Sequence, residues 1–297
     1  MAPSPRLVHL VLLTVSLLFG ANYVFTKQVV AVIPPQAWVG FRIFAATAIL
    51  VPLALRFGRG GVPRRLLPGL LLASLLGVVL NQVLFTEGIR RTTPAHSAVI
   101  NSCIPVWTLL LAVLFRQEKL TAAKILAVVV AFLGVSTLLR VDELLAGGDG
   151  LSREQLVGDL LTWANGVSFS AHLILMRRLG PHVDPWLATG TLFAAAALMV
   201  PLYSGPELTG ANLDAVATPP VLWFALYAVL FATVTTYLLN TWALRHTRSS
   251  HVALYINVQP LVAAVLNTCF GEPFPDWRFY VAFAAVTCGL WLQARRG

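Results

Sequence analysis

The sequence predicts an all-α polytopic membrane protein, with ten transmembrane helices arranged as two inverted repeats of five. Three observations lead there. Only 11% of the 297 residues are charged and 58% are hydrophobic, where an ordinary soluble domain carries about a quarter charged residues. Apolar stretches of roughly 20 residues, the length that crosses a hydrocarbon core, recur ten times along the chain. The second half then repeats features of the first, in the same order.

The composition sets the solvent. A soluble chain of this length needs charge to cover its surface, whereas a bilayer-embedded one needs apolar surface and keeps its charges for the loops. The partner implied is the lipid bilayer. A net charge of +9 also raises nucleic acid as a partner, but the Lys and Arg lie between apolar segments and form no patch, so nucleic acid is excluded. Cys103, Cys269 and Cys288 sit in apolar runs with neither metal-ligand spacing nor an even-numbered disulfide framework, and read as packing residues. Neither metal nor cofactor is expected.

Taken in order, the apolar segments cover residues 7–28, 37–55, 66–86, 97–115, 122–139, 156–176, 186–203, 220–242, 252–270 and 277–293. Arg6 precedes the first, which resembles a signal peptide but has no small-residue cleavage site and is followed by many further spans. Gly, Pro and charged residues make the breaks, as in "RFGRGGVPRR" (Arg56 to Arg65) and "VDELLAGGDGLSREQ" (Val141 to Gln155). With a cytoplasmic N-terminus, 14 Lys and Arg fall in cytoplasmic segments and 6 outside, Arg42 lying within span 2. The positive-inside rule therefore puts both termini in the cytoplasm, here of a bacterial inner membrane.

Sliding the chain by about 150 to 155 residues lays "FGANYVFTKQV" (Phe19 to Val29) on "FSAHLILMRRL" (Phe169 to Leu179), and "FAATAILVPL" (Phe44 to Leu53) on "FAAAALMVPL" (Phe193 to Leu202). Pro35 meets Pro185, Arg90 meets Arg245, His96 meets His251 and Pro105 meets Pro260. Several matches in one order indicate duplication. With five spans per repeat, equivalent helices cross the membrane in opposite directions. Such inverted repeats suit carriers, because two similar halves of opposite orientation give outward-open and inward-open states of similar energy around a midplane site.

The stretches "FGANYVFTK", "FRIFAATAIL" and "EGIRRTTPAHSAVINSCIPVWTLLLAVLFRQEKLT", with their second-half counterparts, resemble the EamA domain of the drug/metabolite transporter superfamily, present twice. The resemblance implies a first EamA repeat over residues 1–140, a periplasmic linker over 141–155 and a second repeat over 156–297. It also implies export of small metabolites, often amino acids, and is similar in size and aromatic content to YddG-type aromatic amino acid exporters. Two departures narrow it. Small multidrug members use a Glu in span 1, and here span 1 has no acid. Sugar-phosphate members use cavity cations, and here the mid-span cation Arg42 lies toward the outer end of span 2, which argues against phosphorylated sugars.

Intramembrane polar side chains usually point into the bundle, and helical spacing shows which share a face. Span 8 carries Thr233, Thr236, Tyr237 and Asn240 as one stripe; span 6 carries Asn165, Ser168 and His172; span 9 carries His251, Tyr255 and Gln259. Span 4 offers Ser97, Asn101 and Thr108 with Trp107 beside them, span 3 Asn81, Gln82 and Phe85, and span 1 Asn22 and Thr26. Trp107 and Trp163 lie deep enough to wall a cavity, whereas Trp38, Trp186, Trp223, Trp277 and Trp291 lie near span ends and read as aromatic belt. The substrate-binding candidates are therefore Asn22, Asn81, Gln82, Phe85, Asn101, Trp107, Trp163, Asn165, Ser168, His172, Tyr237, Asn240, Tyr255 and Gln259. The bland reading of each is a backbone or interhelical hydrogen bond. Spans 5 and 10 carry Ala127/Ala131 and Ala285/Gly289, small residues four apart, and read as peripheral supports.

Pro105 and Pro260 each remove a backbone donor near the midplane of spans 4 and 9 and are expected to act as hinges. The expectation is a monomeric carrier exporting neutral or aromatic amino acids or similar metabolites by alternating access, as a facilitator without obligatory proton coupling; the alternative is an exporter of other drug-like or metabolite substrates, including a proton-coupled one. Two rivals fail on the sequence. A membrane-embedded enzyme would need a nucleophile motif, a metal cluster or paired acids, and none occurs. A structural membrane protein would not explain an inverted duplication.

Overall fold

The computed structural model describes residues 4–116, 121–138, 140, 142–143, 151–247, 255–256 and 258–295. Its principal elements are helices, α1 (Pro5–Val32), α2 (Pro35–Phe57), α3 (Arg64–Arg91), α4 (Pro94–Leu114), α5 (Ala122–Leu138), α6 (Arg153–Leu179), α7 (Pro185–Glu207), α8 (Val221–His246), α9 (Gln259–Thr268) and α10 (Trp277–Arg295). No strand occurs among the described residues. Of these, α1, α2, α3, α4, α7 and α8 are long and apolar enough to cross a membrane.

Proline starts many of the helices. Its missing N–H falls among donors that a helix leaves unpaired in its first turn anyway. Ser4 caps α1 by accepting from the Leu7 amide, Thr93 caps α4 from His96, Ser152 caps α6 from Gln155 and Asp184 caps α7 from Trp186. Several helices run past the hydropathy-based limits. Backbone hydrogen bonding continues to the cap, while hydropathy stops at the first polar residue.

The surface is apolar and much of the polarity lies inside, as a bilayer requires. Leu55, Leu198 and Leu202 are 79%, 83% and 92% exposed, whereas Asn22, Arg42, Gln82, Asn101 and Asn165 are buried. Trp38, expected in the aromatic belt, is instead fully buried with Phe41 stacked beside it. It sits in the first turn of a helix whose end packs inside the bundle, so proximity to a span end does not give lipid contact. Trp223 and Trp277 do face outward, and Cys269 and Cys288 are exposed rather than packed in the core.

Helices expected to be equivalent pack in pairs. α2 lies against α7 and α5 against α10, while α3 lies against α6 and α1 runs through the centre against α3, α4, α8 and α9. In the α5–α10 pair a Cβ on Gly134 would stand 2.7 Å from that of Ala285, so glycine permits the close approach. The side chains of Ala127, Ala131 and Gly289 lie outside the described residues. At the end of this pair Arg278 donates to Asp142 at 2.8 and 2.9 Å and to Glu143 at 2.7 Å, and the guanidinium holds the Asp142 carboxyl below its ordinary range.

The duplication also shows in the irregularities. Both α3 and α8 widen into one π-helical turn, at Leu75–Leu80 and Leu230–Thr235, separated by the same 155 residues as Arg90 and Arg245. Such turns release carbonyls from the regular ladder. α4 breaks between Asn101 and Ile104, so that Pro105 sits in the first turn of its second half, and Pro260 sits likewise at the start of α9. Each proline thus begins a helical segment rather than kinking a continuous one.

Candidate functional site

The wide turn of α3 decides the surroundings of its neighbours. Ala73 O accepts from His172 Nδ1 at 2.8 Å, Leu76 O from Ser168 Oγ at 2.8 Å, Gly77 O from Tyr237 OH at 2.6 Å and Asn81 O from Asn165 Nδ2 at 2.8 Å. The wide turn of α8 is met from α2, with Arg42 Nε donating to Thr233 Oγ1 at 2.7 Å and Nη2 to Ala232 O at 3.2 Å. A buried carbonyl left without a partner costs about 1–3 kcal/mol, so these side chains fix the helices around one central space.

That space is a cavity of about 70 Å³, large enough to hold water or a small solute. From α1 it takes Ser16, Phe19, Asn22 and Tyr23; from α2, Arg42; from α3, Asn81, Gln82 and Phe85; from α4, Asn101. Asn165 and Phe169 of α6, Tyr237 and Asn240 of α8 and Gln259 of α9 close it. Its walls combine carboxamides, phenols, aromatic rings and the Arg42 guanidinium with the aliphatic side chains of Leu12, Val15, Ile104, Leu173 and Ile256. Tyr23 and Phe85 meet edge to face at 5.3 Å, and a chain of hydrogen bonds runs from Asn101 Nδ2 to Tyr23 OH at 2.9 Å and on to Gln259 Oε1 at 3.3 Å. Among the described residues no Asp or Glu lines the cavity and no cluster fit to hold a metal occurs.

The sequence candidates thus divide. Asn22, Asn81, Gln82, Phe85, Asn101, Asn165, Tyr237, Asn240 and Gln259 converge on the cavity. His172 lines a smaller adjoining cavity with Met176, Pro181, Thr241 and Arg245, its ring held to Ala73 O, and Ser168 is spent on Leu76 O. Trp107 and Trp163 meet edge to face at 4.8 Å, outside the cavity lining, and Trp163 is 37% exposed. Tyr255 pairs with His9 at 2.7 Å, away from the lining. His251 lies outside the described residues.

Arg42 corrects the sequence reading. Seven residues into α2, at about 10 Å along the axis, its side chain reaches the cavity and is only 1% exposed. Distance along a span locates a Cα, whereas a long side chain on an inward face extends past it. Tyr23, Ser16 and Phe19 were also missed. With Leu12 they form one face of α1 at i, i+4, i+7 and i+11, a period that is visible in the sequence once phenyl and phenol groups are counted with the amides.

The two ends of the cavity differ. Toward Lys27 the helix ends are tied together: the ammonium donates to the carbonyls of Ile89, Arg90 and Thr92 at 2.8–2.9 Å, Thr92 hydrogen-bonds Asp159, and His96 lies 3.2 Å from the other Asp159 oxygen. Glu87 pairs with Arg91 and accepts from Tyr203 at 2.6 Å. Toward Arg245 the central cavity adjoins the smaller one across Phe19, Phe169 and Tyr237.

The EamA-like transporter family profile matches residues 6–140 and 156–294. The chain belongs to the EamA-like transporter family. EamA relatives that resemble it along most of its length include the uncharacterized transporters YyaM and YetK of Bacillus subtilis (strain 168). YyaM is 22% identical over 90% of this chain and 87% of its own, and YetK is 23% identical over 92% and 82%. WAT1-related protein At5g40240 of Arabidopsis thaliana is 24% identical over 84% of this chain and 76% of its own. A solved crystal structure superposes over 98% of both chains with a TM-score of 0.63 at 19% identity, which establishes the fold alone. The EamA match gives two repeats, and the cavity is lined by helices of both.

Proposed function

We propose that this EamA member is a carrier of small metabolites, neutral or aromatic amino acids in particular, working by alternating access as a monomer with ten transmembrane helices. The observation that carries the reading is the cavity between the repeats, lined by carboxamides and aromatic rings with no carboxylate among the described residues. Carboxamides offer both donors and acceptors to a polar solute, and the aromatic rings offer area to an apolar side chain. Its volume of about 70 Å³ suits a small solute better than a large drug.

With both termini in the cytoplasm of a bacterial inner membrane, the end at Lys27 faces outward and the end at Arg245 faces the cytoplasm. In a facilitator or exchanger the solute gradients set the direction, and export follows for a metabolite that accumulates in the cytoplasm. The absence of a cavity carboxylate among the described residues favours facilitated diffusion or exchange over obligatory proton coupling. The domain limits follow the repeats, 1–140 and 156–297, joined by the periplasmic segment 141–155.

Counterflow into proteoliposomes tests this reading with labelled tryptophan, threonine, a quaternary amine and a sugar phosphate. Flux of the amino acids without the other two is expected. Failure of all four to move removes the amino acid assignment.

A further inference from the structure

Among the described residues Arg42 is the cation of the cavity lining, and no acid of that lining balances its charge. Its guanidinium uses Nε on Thr233 and Nη2 on Ala232 O, sits 6.0 Å above the centre of the Trp38 ring, and leaves Nη1 buried with no partner. A buried ion is tolerated when it is paired, and an ionisable group within a membrane span marks a functional site whose partner should be named. Among the described residues no protein group supplies a partner for Nη1.

The fold does not require the charge. In the other repeat the matching contact joins α7 to the wide turn of α3, and there Leu192 is buried in one apolar cluster with Val78, while Ser74 Oγ donates to Leu192 O. The corresponding turn of α7, residues 190–193, holds Gly, Thr, Leu and Phe and no cation. Packing a helix on the wide turn is therefore possible without a guanidinium.

Two other buried polar atoms on cavity-lining residues also lack partners, and both are acceptors: Asn101 Oδ1 and Asn240 Oδ1. The Asn101 amino group donates to the Tyr23 phenol oxygen, which donates on to Gln259 Oε1, and Asn101 Oδ1 is left over. One unpaired cationic donor and two unpaired neutral acceptors complement a solute with one carboxylate and one ammonium. A simple carboxylate would leave the acceptors unmatched, and a phosphate dianion would face a single cation.

Resting on the carrier reading above, we infer that Arg42 binds the substrate carboxylate, with Asn101 and Asn240 serving the ammonium, so that the cavity selects zwitterionic α-amino acids. An Arg fork suits a planar carboxylate better than a Lys point charge does.

The test is competition against labelled tryptophan and threonine counterflow in proteoliposomes, using each unlabelled amino acid and its amide, which keeps the ammonium and lacks the carboxylate. The wild-type protein should prefer each acid over its amide by at least tenfold. In Arg42→Gln that ratio should fall to near one, and Arg42→Lys should lie between. Equal competition by acid and amide in the wild type overturns the assignment to Arg42 while leaving the carrier reading intact, and it needs no variant to fold. A folded Arg42→Gln that keeps the wild-type ratio overturns it as well. Absence of flux for both labelled amino acids overturns the carrier reading, and this inference with it.

Discussion

Gly77 lies in the wide turn of α3, where a methyl group would stand 2.6 Å from Cε1 of His172 and closer still to Nδ1 and Cγ. Gly77→Ala forces the imidazole back by more than the slack of its 2.8 Å bond to Ala73 O, so that bond breaks inside the bundle. Overpacking costs about 1–3 kcal/mol and the orphaned carbonyl about 1–3 kcal/mol. Alanine's better helix propensity returns about 1 kcal/mol. The net is a loss of about 1–5 kcal/mol, opposite in sign to propensity alone. Reversible denaturation in micelles reads the difference. Gly180→Ala, where nothing lies within 4 Å of the added carbon, serves as the control and should be neutral or slightly stabilising. In Gly77→Ala combined with His172→Ala the clash is gone, so the double variant should be less destabilised than the sum of the singles. A Gly77→Ala protein as stable as Gly180→Ala would refute the tight contact between α3 and α6.

Three further outcomes are expected. Asp159→Asn weakens the links to Thr92 and His96; in a background lacking native cysteines, Ser97→Cys should then react several times faster with an impermeant maleimide, and an unchanged rate would show that these links do not close that end. Pro105→Ala and Pro260→Ala remove prolines from first helical turns, where no hydrogen bond is gained, so stability should hold while transport slows; unchanged rates in both would remove the hinge role. Because Arg278 lowers the Asp142 pKa, this pair supports the α5–α10 end above the ordinary carboxylate value of about 4 and loses that support as pH falls through the lowered folded value. Protection factors at the start of α10, which correct for the slower intrinsic exchange at lower pH, should therefore fall on acidification, and Asp142→Asn should show the fall already at neutral pH.

Much of the fold is legible in the sequence because lipid imposes a simple rule: long apolar runs broken by Gly, Pro and charge. The peripheral place of α5 and α10 follows from their scarcity of polar groups, and the Gly134 contact bears on it directly. The stripe Asn81, Gln82 and Phe85 is legible for the same reason, since a polar group on a span needs an inward partner. Less accessible is what each polar group does once inside. Ser168, His172 and Tyr237 all face inward as their spacing implies, yet they donate to carbonyls in and just before the π turn of α3, and no residue type marks such a turn in the sequence. Trp107 and Trp163 illustrate a second limit: depth along a span does not say which side of the helix faces lipid. Arg42 illustrates a third, because the reach of a guanidinium carries charge well past its own backbone position.

The most direct test of the account is a structure determined with the transported amino acid bound. Density for the ligand in the central cavity, with its carboxylate at Arg42 and its ammonium toward Asn101 and Asn240, is the predicted result. Density at saturating amino acid that lies outside this cavity, for example in the groove between Trp186 and Trp242, would contradict it.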